Sequence, residues 1–169
     1  EAVRQEHPGV RVIVHPEGYV VTNSHVVRGA ARVYCSLARA VGGQAYEARV
    51  LENDPSHDLA LLRIAGGPFP YVGICSTCDV MVGETAIAIG NPYAIASDGQ
   101  ATASLGTVTN LARKLATGTN WNNAPGPSGD YRTTVHHLGT LIQTDAKLGW
   151  NAGGGALVNL HGELVGLTT

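Results

Sequence analysis

The chain has 169 residues, of which 44% are hydrophobic and 14% are charged. This composition supports a large core and excludes a disordered protein. The net charge of -2 argues against a nucleic-acid-binding surface, and no apolar run is long enough to span a bilayer.

Short strands separated by turns dominate the sequence. The residues between the first two strands, His15-Pro16-Glu17-Gly18, form a turn signature that predicts a hairpin. Residues 24–29 predict a short helical turn, and residues 95–100 and 116–131 predict loops. Strands are predicted over residues 10–14, 19–22, 31–37, 46–53, 60–64, 85–89, 102–110, 140–144, 156–159 and 164–167. The pattern predicts an all-β protein.

Four stretches in a fixed order carry the most specific signal. Residues 18–27 include Thr-Asn-Ser-His-Val, and residues 53–64 include Asp-Leu-Ala-Leu-Leu. Residues 82–109 include Gly-Asn-Pro, and residues 142–166 include Gly-Ala-Leu-Val-Asn. In this order they resemble the histidine motif, the aspartate motif, the start of the second barrel and the nucleophile loop of HtrA/DegP-type trypsin-like serine proteases.

This resemblance implies a fold and a domain organisation. The fold is a trypsin-like double six-stranded β-barrel in one domain, residues 1–169. Residues 1–68 would form the first barrel and residues 69–169 the second. The sequence stops at Thr169, before the last strand that the family would need, so we expect an incomplete second barrel.

The same resemblance assigns the catalytic positions and shows one departure from the family. His25 matches the general base and Asp58 the acid that orients it, whereas Gly153 stands where the family carries its nucleophilic serine. A one-residue slip would place Ala152 there, and no serine occurs from residue 129 to residue 169. Because serine-protease chemistry needs a hydroxyl, we predict that the chain is not an enzyme and that His25 and Asp58 are relics.

The other residues of the nucleophile loop also differ from the family sequence. Changes at Trp150, Asn151 and Ala152 put the oxyanion donors in doubt, and three consecutive glycines predict a loose segment. We therefore expect Gly153→Ser alone not to restore a protease. Two alternatives to a metal-binding role stay open, a peptide- or protein-binding regulator and a hydrolase that uses another nucleophile.

Histidines outside the triad positions suggest a metal site. His57 precedes Asp58, and in extended backbone adjacent side chains point to opposite faces, so His57 should face outward. In trypsin-like folds that surface lies near the segment that contains His136 and His137. Imidazoles from the two segments could bind iron, manganese, zinc, copper or nickel. We predict a divalent transition metal site at His57 and His137, with His136 as the substitute ligand.

A degenerate nucleophile loop together with these histidines resembles the magnetosome-associated members of the family in magnetotactic bacteria. That resemblance implies iron binding in magnetite biomineralisation and an active HtrA-like protease as a partner. It also implies a magnetosome membrane or lumen location, equivalent to the periplasm, with a membrane tether outside the given segment.

Three cysteines are the remaining reactive side chains of interest. Cys75-Ser76-Thr77-Cys78 is a CxxC pair, and Cys35 stands alone. The pair could be redox-active or form half of a zinc site, but no second CxxC is present. Asp79 occupies the position where a haem-attachment motif needs histidine. The simplest interpretation is a local disulfide or two free thiols.

Overall fold

The computed structural model describes residues 9–38, 43–91, 101–113, 141–149 and 152–169. This part of the chain contains ten strands and a single four-residue helix. The elements are β1 (Val12–His15), β2 (Tyr19–Thr22), α1 (Ser24–Val27), β3 (Val33–Ser36), β4 (Ala45–Asp54), β5 (Leu59–Ile64), β6 (Thr85–Gly90), β7 (Thr102–Arg113), β8 (Leu141–Thr144), β9 (Ala156–Val158) and β10 (Leu164–Leu167).

The strands form two antiparallel five-stranded sheets. The first has the order β1-β2-β5-β4-β3, and the second has the order β10-β9-β6-β7-β8. Strands β1 to β5 therefore belong to one sheet and strands β6 to β10 to the other. This arrangement confirms the all-β prediction.

Alternating burial along the central strands explains how each sheet forms a core. Every second residue of β5 and of β6 is buried, as expected for strands with one face on a core. In the first sheet, Val20, Leu62 and Ile64 have no exposed surface, and Phe69 packs against the same cluster. In the second sheet, Ala86, Ala88, Val108 and Leu157 form the equivalent cluster.

A third cluster joins the two sheets. Ala156, Val158 and Leu164 of the second sheet pack against side chains of the first sheet, among them Val12 and Val21. Val10 N donates to Gly153 O at 2.9 Å, which ties the chain before β1 to the segment before β9. The boundary between the sheets is therefore where residues from both halves of the chain come together.

The hairpin predicted between the first two strands is confirmed. Gly18 N donates to His15 O at 3.0 Å, and Gly18 has a φ of 90°, which favours glycine. A Cβ on Gly18 would lie 2.5 Å from Ile64 O, so the close approach of β5 also requires glycine there.

The backbone around Asp58 differs from the prediction. We expected extended chain there, but residues 55–58 form a turn between β4 and β5, and Asp58 has a φ of 53°. Asp58 N donates to Pro55 O at 3.4 Å. The sequence Asp54-Pro55-Ser56 is a turn signature that outweighs the strand pattern on either side.

The predicted loops at residues 95–100 and 116–131 lie outside the described residues. In the part of the chain that is described, no helix has the length and apolar character that crossing a membrane requires.

Candidate active site

Asp58 is the most firmly held polar residue at the boundary between the sheets. Only 2% of its surface is exposed. Its backbone oxygen accepts hydrogen bonds from Ser24 N at 3.0 Å and from the Asn23 side-chain Nδ2 at 3.1 Å. These bonds satisfy the buried backbone oxygen, and the turn at residues 55–58 places Asp58 against the start of α1.

The side chain of Asp58 orients His25. Asp58 Oδ2 lies 2.7 Å from His25 Nδ1, and Asp58 Oδ1 accepts from His25 N at 2.9 Å. Thr169 Oγ1 donates to the same Oδ2 at 3.2 Å. With Nδ1 bound to a carboxylate, the neutral ring carries its proton there and leaves Nε2 as a base. The geometry is that of a general base held by an acid.

Gly153 lies against the free nitrogen of this base. A Cβ built on Gly153 would be 3.2 Å from His25 Nε2 and 3.6 Å from Asn23 Oδ1. Ala152 is buried, and its Cβ lies 3.3 Å from a Cβ built on Gly90. The structure therefore brings Gly153, His25 and Asp58 together, with no hydroxyl on the residue that contacts the imidazole.

Asn23 places an unpaired acceptor beside the same point. Its Nδ2 donates to Asp58 O, so the orientation of the amide is fixed and Oδ1 faces away from Asp58. Asn23 Oδ1 is buried and has no hydrogen-bond partner within the described ranges. A buried acceptor of this kind usually has a water or ligand partner.

The residues after Gly153 are fixed rather than loose. Gly154 N donates to Thr168 O at 2.8 Å, and Gly155 N donates to Ala152 O at 3.2 Å. Gly154 has a φ of 82°, and a Cβ on it would lie 2.6 Å from Thr22 Oγ1. The expectation of a loose triple glycine is therefore wrong for Gly154 and Gly155, which are glycines because neighbouring strands pass too close for a side chain.

His57 faces solvent, although for a different reason from the one predicted. Its side chain is 66% exposed because it sits on the turn between β4 and β5. His57 Nδ1 lies 2.6 Å from Asp54 Oδ2, and Ser56 Oγ donates to Asp54 Oδ1. Hydrogen bonds from Ser56 first, and then from His57, lower the pKa of Asp54 to about 2.

The proposed partners of His57 cannot be placed. His136 and His137 lie outside the described residues, so their approach to His57 stays a prediction. Among the described histidines, His15 contacts Tyr19 and Tyr71, and His161 is exposed on the turn before β10.

Cys75 and Cys78 form a disulfide with Cα atoms 5.8 Å apart, in agreement with the simplest interpretation of the CxxC pair. Cys35 is free and buried in the first core, and burial raises the pKa of its thiol to about 11.

Sequence reasoning missed two residues that support the site. Asn23 holds the Asp58 backbone, and Thr169 holds the Asp58 carboxylate. Asn23 lies within the histidine motif, so its position two residues before His25 was the available signal. Thr169 is distant in sequence from both triad positions, and no local pattern identifies it.

Comparison with known proteins connects this geometry to a family. Residues 9–167 match the Trypsin-like peptidase domain. A probable periplasmic serine endoprotease DegP-like from Chlamydia pneumoniae is 34% identical over 169 residues, 100% of this chain. The periplasmic pH-dependent serine endoprotease DegQ of Escherichia coli (strain K12) is 34% identical over 163 residues, 95% of this chain. The chain spans only 29% and 30% of these two relatives.

Solved structures give the same result for the fold. The HtrA-type protease AlgW with decapeptide superposes with a TM-score of 0.76 at 28% identity, covering 96% of this chain and 42% of that one. A serine endoprotease from Yersinia pestis has a TM-score of 0.73 at 28% identity, covering 100% of this chain and 50% of that one. The predicted trypsin-like double β-barrel fold is confirmed, with five strands per sheet in the described residues.

These relatives contradict the prediction that the chain is not an enzyme. Each is named as a protease, and the two sequence relatives are named as serine endoproteases that match 95% or more of this chain. That prediction rested on the missing serine and the altered nucleophile loop, and it treated His25 and Asp58 as relics.

Proposed function

This chain belongs to the Trypsin-like peptidase domain family and is of its HtrA/DegP type, and on that premise we propose that it hydrolyses peptide bonds in a periplasm-like compartment. His25 would be the general base and Asp58 the acid that orients it. The compartment follows from the named location of the relatives.

The nucleophile in this proposal is a water molecule at His25, where Gly153 supplies no hydroxyl. The His25 side chain is 35% exposed, so solvent reaches the imidazole. A water that donates to His25 Nε2 would present its oxygen to a substrate carbonyl. The observation that carries the proposal is a base that is held by Asp58 and open to solvent beside Gly153.

The reaction then follows the usual order of proton transfers without an acyl-enzyme. His25 Nε2 takes a proton from the water as its oxygen bonds to the scissile carbonyl carbon. The C–N bond of the tetrahedral intermediate then breaks, and the imidazolium returns the proton to the leaving amine. The products are a carboxylic acid and an amine, and His25 ends in its starting state.

The Gly153 N–H can stabilise the intermediate. It has no hydrogen-bond partner within the described residues, whereas the Gly154 and Gly155 N–H groups are both used. Backbone donors of this kind stabilise the oxyanion in acyl transfer. Without a covalent nucleophile we expect only the roughly 10³–10⁴-fold acceleration that protease sites keep when the triad is disabled.

Cleavage of a fluorogenic peptide by the purified protein tests the proposal. The wild type should turn over slowly, and His25→Ala should reduce the rate to the background. His161→Ala is the matched control because His161 is an exposed histidine on a different turn, and it should leave the rate unchanged. Equal rates in the wild type and in His25→Ala would refute the proposal.

A second candidate function is metal binding at His57. We propose that His57 Nε2 binds a divalent transition metal of the iron, manganese or nickel type, with His137 or His136 as further ligand. The supporting observation is the carboxylate of Asp54 on His57 Nδ1, because such a carboxylate fixes the tautomer and raises the basicity of a metal-binding imidazole. A role in magnetite formation, a partner protease and a membrane tether belong to this proposal.

Calorimetric titration with manganese or nickel tests the second candidate. His57→Ala and His137→Ala should each weaken binding. Asp54→Asn should weaken it by about 10–100-fold, as is usual when the carboxylate that orients a metal-binding histidine is lost. His161→Ala again serves as the control. Unchanged affinity in the His57→Ala, His137→Ala double variant would refute this site.

A further inference from the structure

Cys75, Cys78 and Glu163 come together at the edge of the second sheet. One ligand atom from each, two sulfurs and a carboxylate oxygen, lie within 4.8 Å of one another. Within the described ranges, no other group of three metal-binding side chains is this close. Half of a zinc site was one of the interpretations of the CxxC pair, and the fold places a third possible ligand, Glu163, beside it.

Backbone pairing with β10 fixes the position of the cysteines. Cys75 N donates to Leu164 O at 3.0 Å, and Leu164 N donates to Gly73 O at 2.8 Å. Ile74 pairs with Leu164 in an isolated bridge. The residue before Leu164 is Glu163, so this pairing sets the carboxylate beside the CxxC turn.

The turn between β9 and β10 fixes the carboxylate. Asn159 Nδ2 donates to Glu163 Oε2 at 2.8 Å, and Asn159 Oδ1 accepts from Glu163 N at 2.9 Å. An ionised carboxylate has lone pairs for several partners, so this contact leaves it able to bind a cation. Backbone pairing with β10 therefore positions the two cysteines, and the hydrogen bonds with Asn159 position Glu163, before any cation binds.

We propose that, when the disulfide is reduced, Cys75, Cys78 and Glu163 bind one zinc-class divalent cation, with water as the fourth ligand. A dithiol reductant supplies the two electrons and two protons that open the disulfide, and is itself oxidised to a disulfide. The cation then displaces the two thiol protons and binds both thiolates. Two sulfurs and one oxygen with one open position form a tetrahedral set that suits zinc.

Cation binding requires only a small movement of the two cysteine side chains. Zinc–sulfur bonds of about 2.3 Å in a tetrahedral site place two sulfurs about 3.8 Å apart. With the Cα atoms 5.8 Å apart, rotation of the two cysteine side chains achieves this without a change in the backbone. Oxidation closes the site, so cation binding and the disulfide exclude each other.

Cys35 does not compete for the cation. It is buried in the first core, and its raised pKa keeps it protonated at neutral pH. A thiolate signal from the reduced native protein therefore reports Cys75 and Cys78.

Cobalt(II) titration of the protein, reduced with a phosphine and kept without oxygen, tests the site. Thiolate-to-cobalt charge-transfer absorption should saturate at one equivalent and should be absent in the oxidised protein. Cobalt bound at His57 would have no sulfur ligand and would not give this band, so the band distinguishes the two sites. Cys75→Ser and Cys78→Ser should each abolish the two-thiolate band, whereas Cys35→Ser should keep it.

Glu163→Gln tests the third ligand. Glutamine can still accept the Asn159 hydrogen bond, so the turn should keep its structure, and the cobalt affinity should fall at least about tenfold. Glu52→Gln, which changes an exposed carboxylate on β4, is the matched control and should bind as the wild type does. No charge-transfer band in the reduced wild type would overturn the proposal, as would wild-type affinity in Glu163→Gln.

Discussion

Residue 153 has no side chain, so it supplies no hydroxyl beside His25 Nε2. The base and its orienting acid keep a 2.7 Å contact, and Asp58 and Asn23 are buried. A pair of this kind can deprotonate whichever nucleophile occupies the adjacent space. Gly153 therefore removes the side-chain nucleophile and leaves the base in place.

Gly153→Ser should create a covalent nucleophile. A Cβ on residue 153 would lie 3.2 Å from His25 Nε2, so the ring must give way by a few tenths of an ångström to admit it. A serine Oγ, one bond beyond that Cβ, can then turn towards Nε2. The sequence alone predicted that Gly153→Ser would not restore a protease. Because hydrogen bonds hold Gly154 and Gly155 in place, we revise that expectation and predict that this single change raises peptide cleavage at least about a hundredfold, within the range that a nucleophilic serine is worth. A fluorophosphonate probe should label this variant and leave the wild type unlabelled.

The control for this prediction is the double variant Gly153→Ser, His25→Ala. It contains the hydroxyl without the base and should not react with the probe. If Gly153→Ser itself remained unlabelled, the loop would not be built for acyl transfer.

The depressed pKa of Asp54 gives a pH dependence of stability with a definite sign. Its folded value of about 2 lies below the ordinary value of 3.8, so the charged form is favoured in the folded state. The stabilisation is present above about pH 4 and is lost as the pH falls towards about 2. Urea midpoints across this range should fall less steeply in Asp54→Asn than in the wild type.

Because Asp54 and His57 are both exposed, this contribution is small and screened by salt. His15, whose ring contacts tyrosines, supplies a control away from Asp54: His15→Ala should leave the slope between pH 4 and pH 2 unchanged. Identical slopes in Asp54→Asn and in the wild type would show that Ser56 and His57 do not hold the carboxylate.

On the scale of single elements, the segment before β9 is where close packing restricts the sequence most. Gly154→Ala would add a methyl group 2.1 Å from Val10 O and 2.6 Å from Thr22 Oγ1, at a φ of 82°. We expect a loss of more than ~2 kcal/mol in the free energy of unfolding, from overpacking and the left-handed backbone together.

Gly162→Ala separates the two causes. Gly162 has a φ of 78°, but a Cβ on it meets nothing within 4 Å. This variant should lose only the backbone contribution, about 1 kcal/mol. Equal losses in the two variants, measured by urea unfolding, would show that the contacts with Val10 and Thr22 cost nothing.

Local patterns predicted most elements well. The bounds of β2 and β10 agree with the structure, and the hairpin turn at Gly18 follows from its sequence. The turn at residues 55–58 was missed because extended backbone was expected at His57 and Asp58, between the strands predicted over residues 46–53 and 60–64. His57 is exposed as predicted, but it is exposed because it lies on this turn and not because the backbone is extended.

Contacts between distant residues could not be predicted in the same way. The family motifs placed His25 and Asp58 together, because a known fold supplied the spatial relation. Glu163 beside the CxxC pair, and Thr169 on Asp58, result from strand pairing and chain crossing in three dimensions. No sequence period relates these residues, so only the assembled sheets reveal them.

On the scale of the whole molecule, the catalytic base and the glycine loop come from different sheets. His25 follows β2 of the first sheet, whereas Gly153 precedes β9 of the second. The apolar cluster between the sheets and the Val10–Gly153 hydrogen bond hold these two segments next to each other. The proposed catalysis therefore depends on the packing of the two sheets, and not on either sheet alone.

Peptide cleavage by the wild type, His25→Ala and Gly153→Ser, compared in one assay, is the decisive measurement. We predict that Gly153→Ser is faster than the wild type and that the wild type is faster than His25→Ala, which should stay at background. A wild-type rate that equals that of His25→Ala would contradict the claim that the retained base activates water beside Gly153.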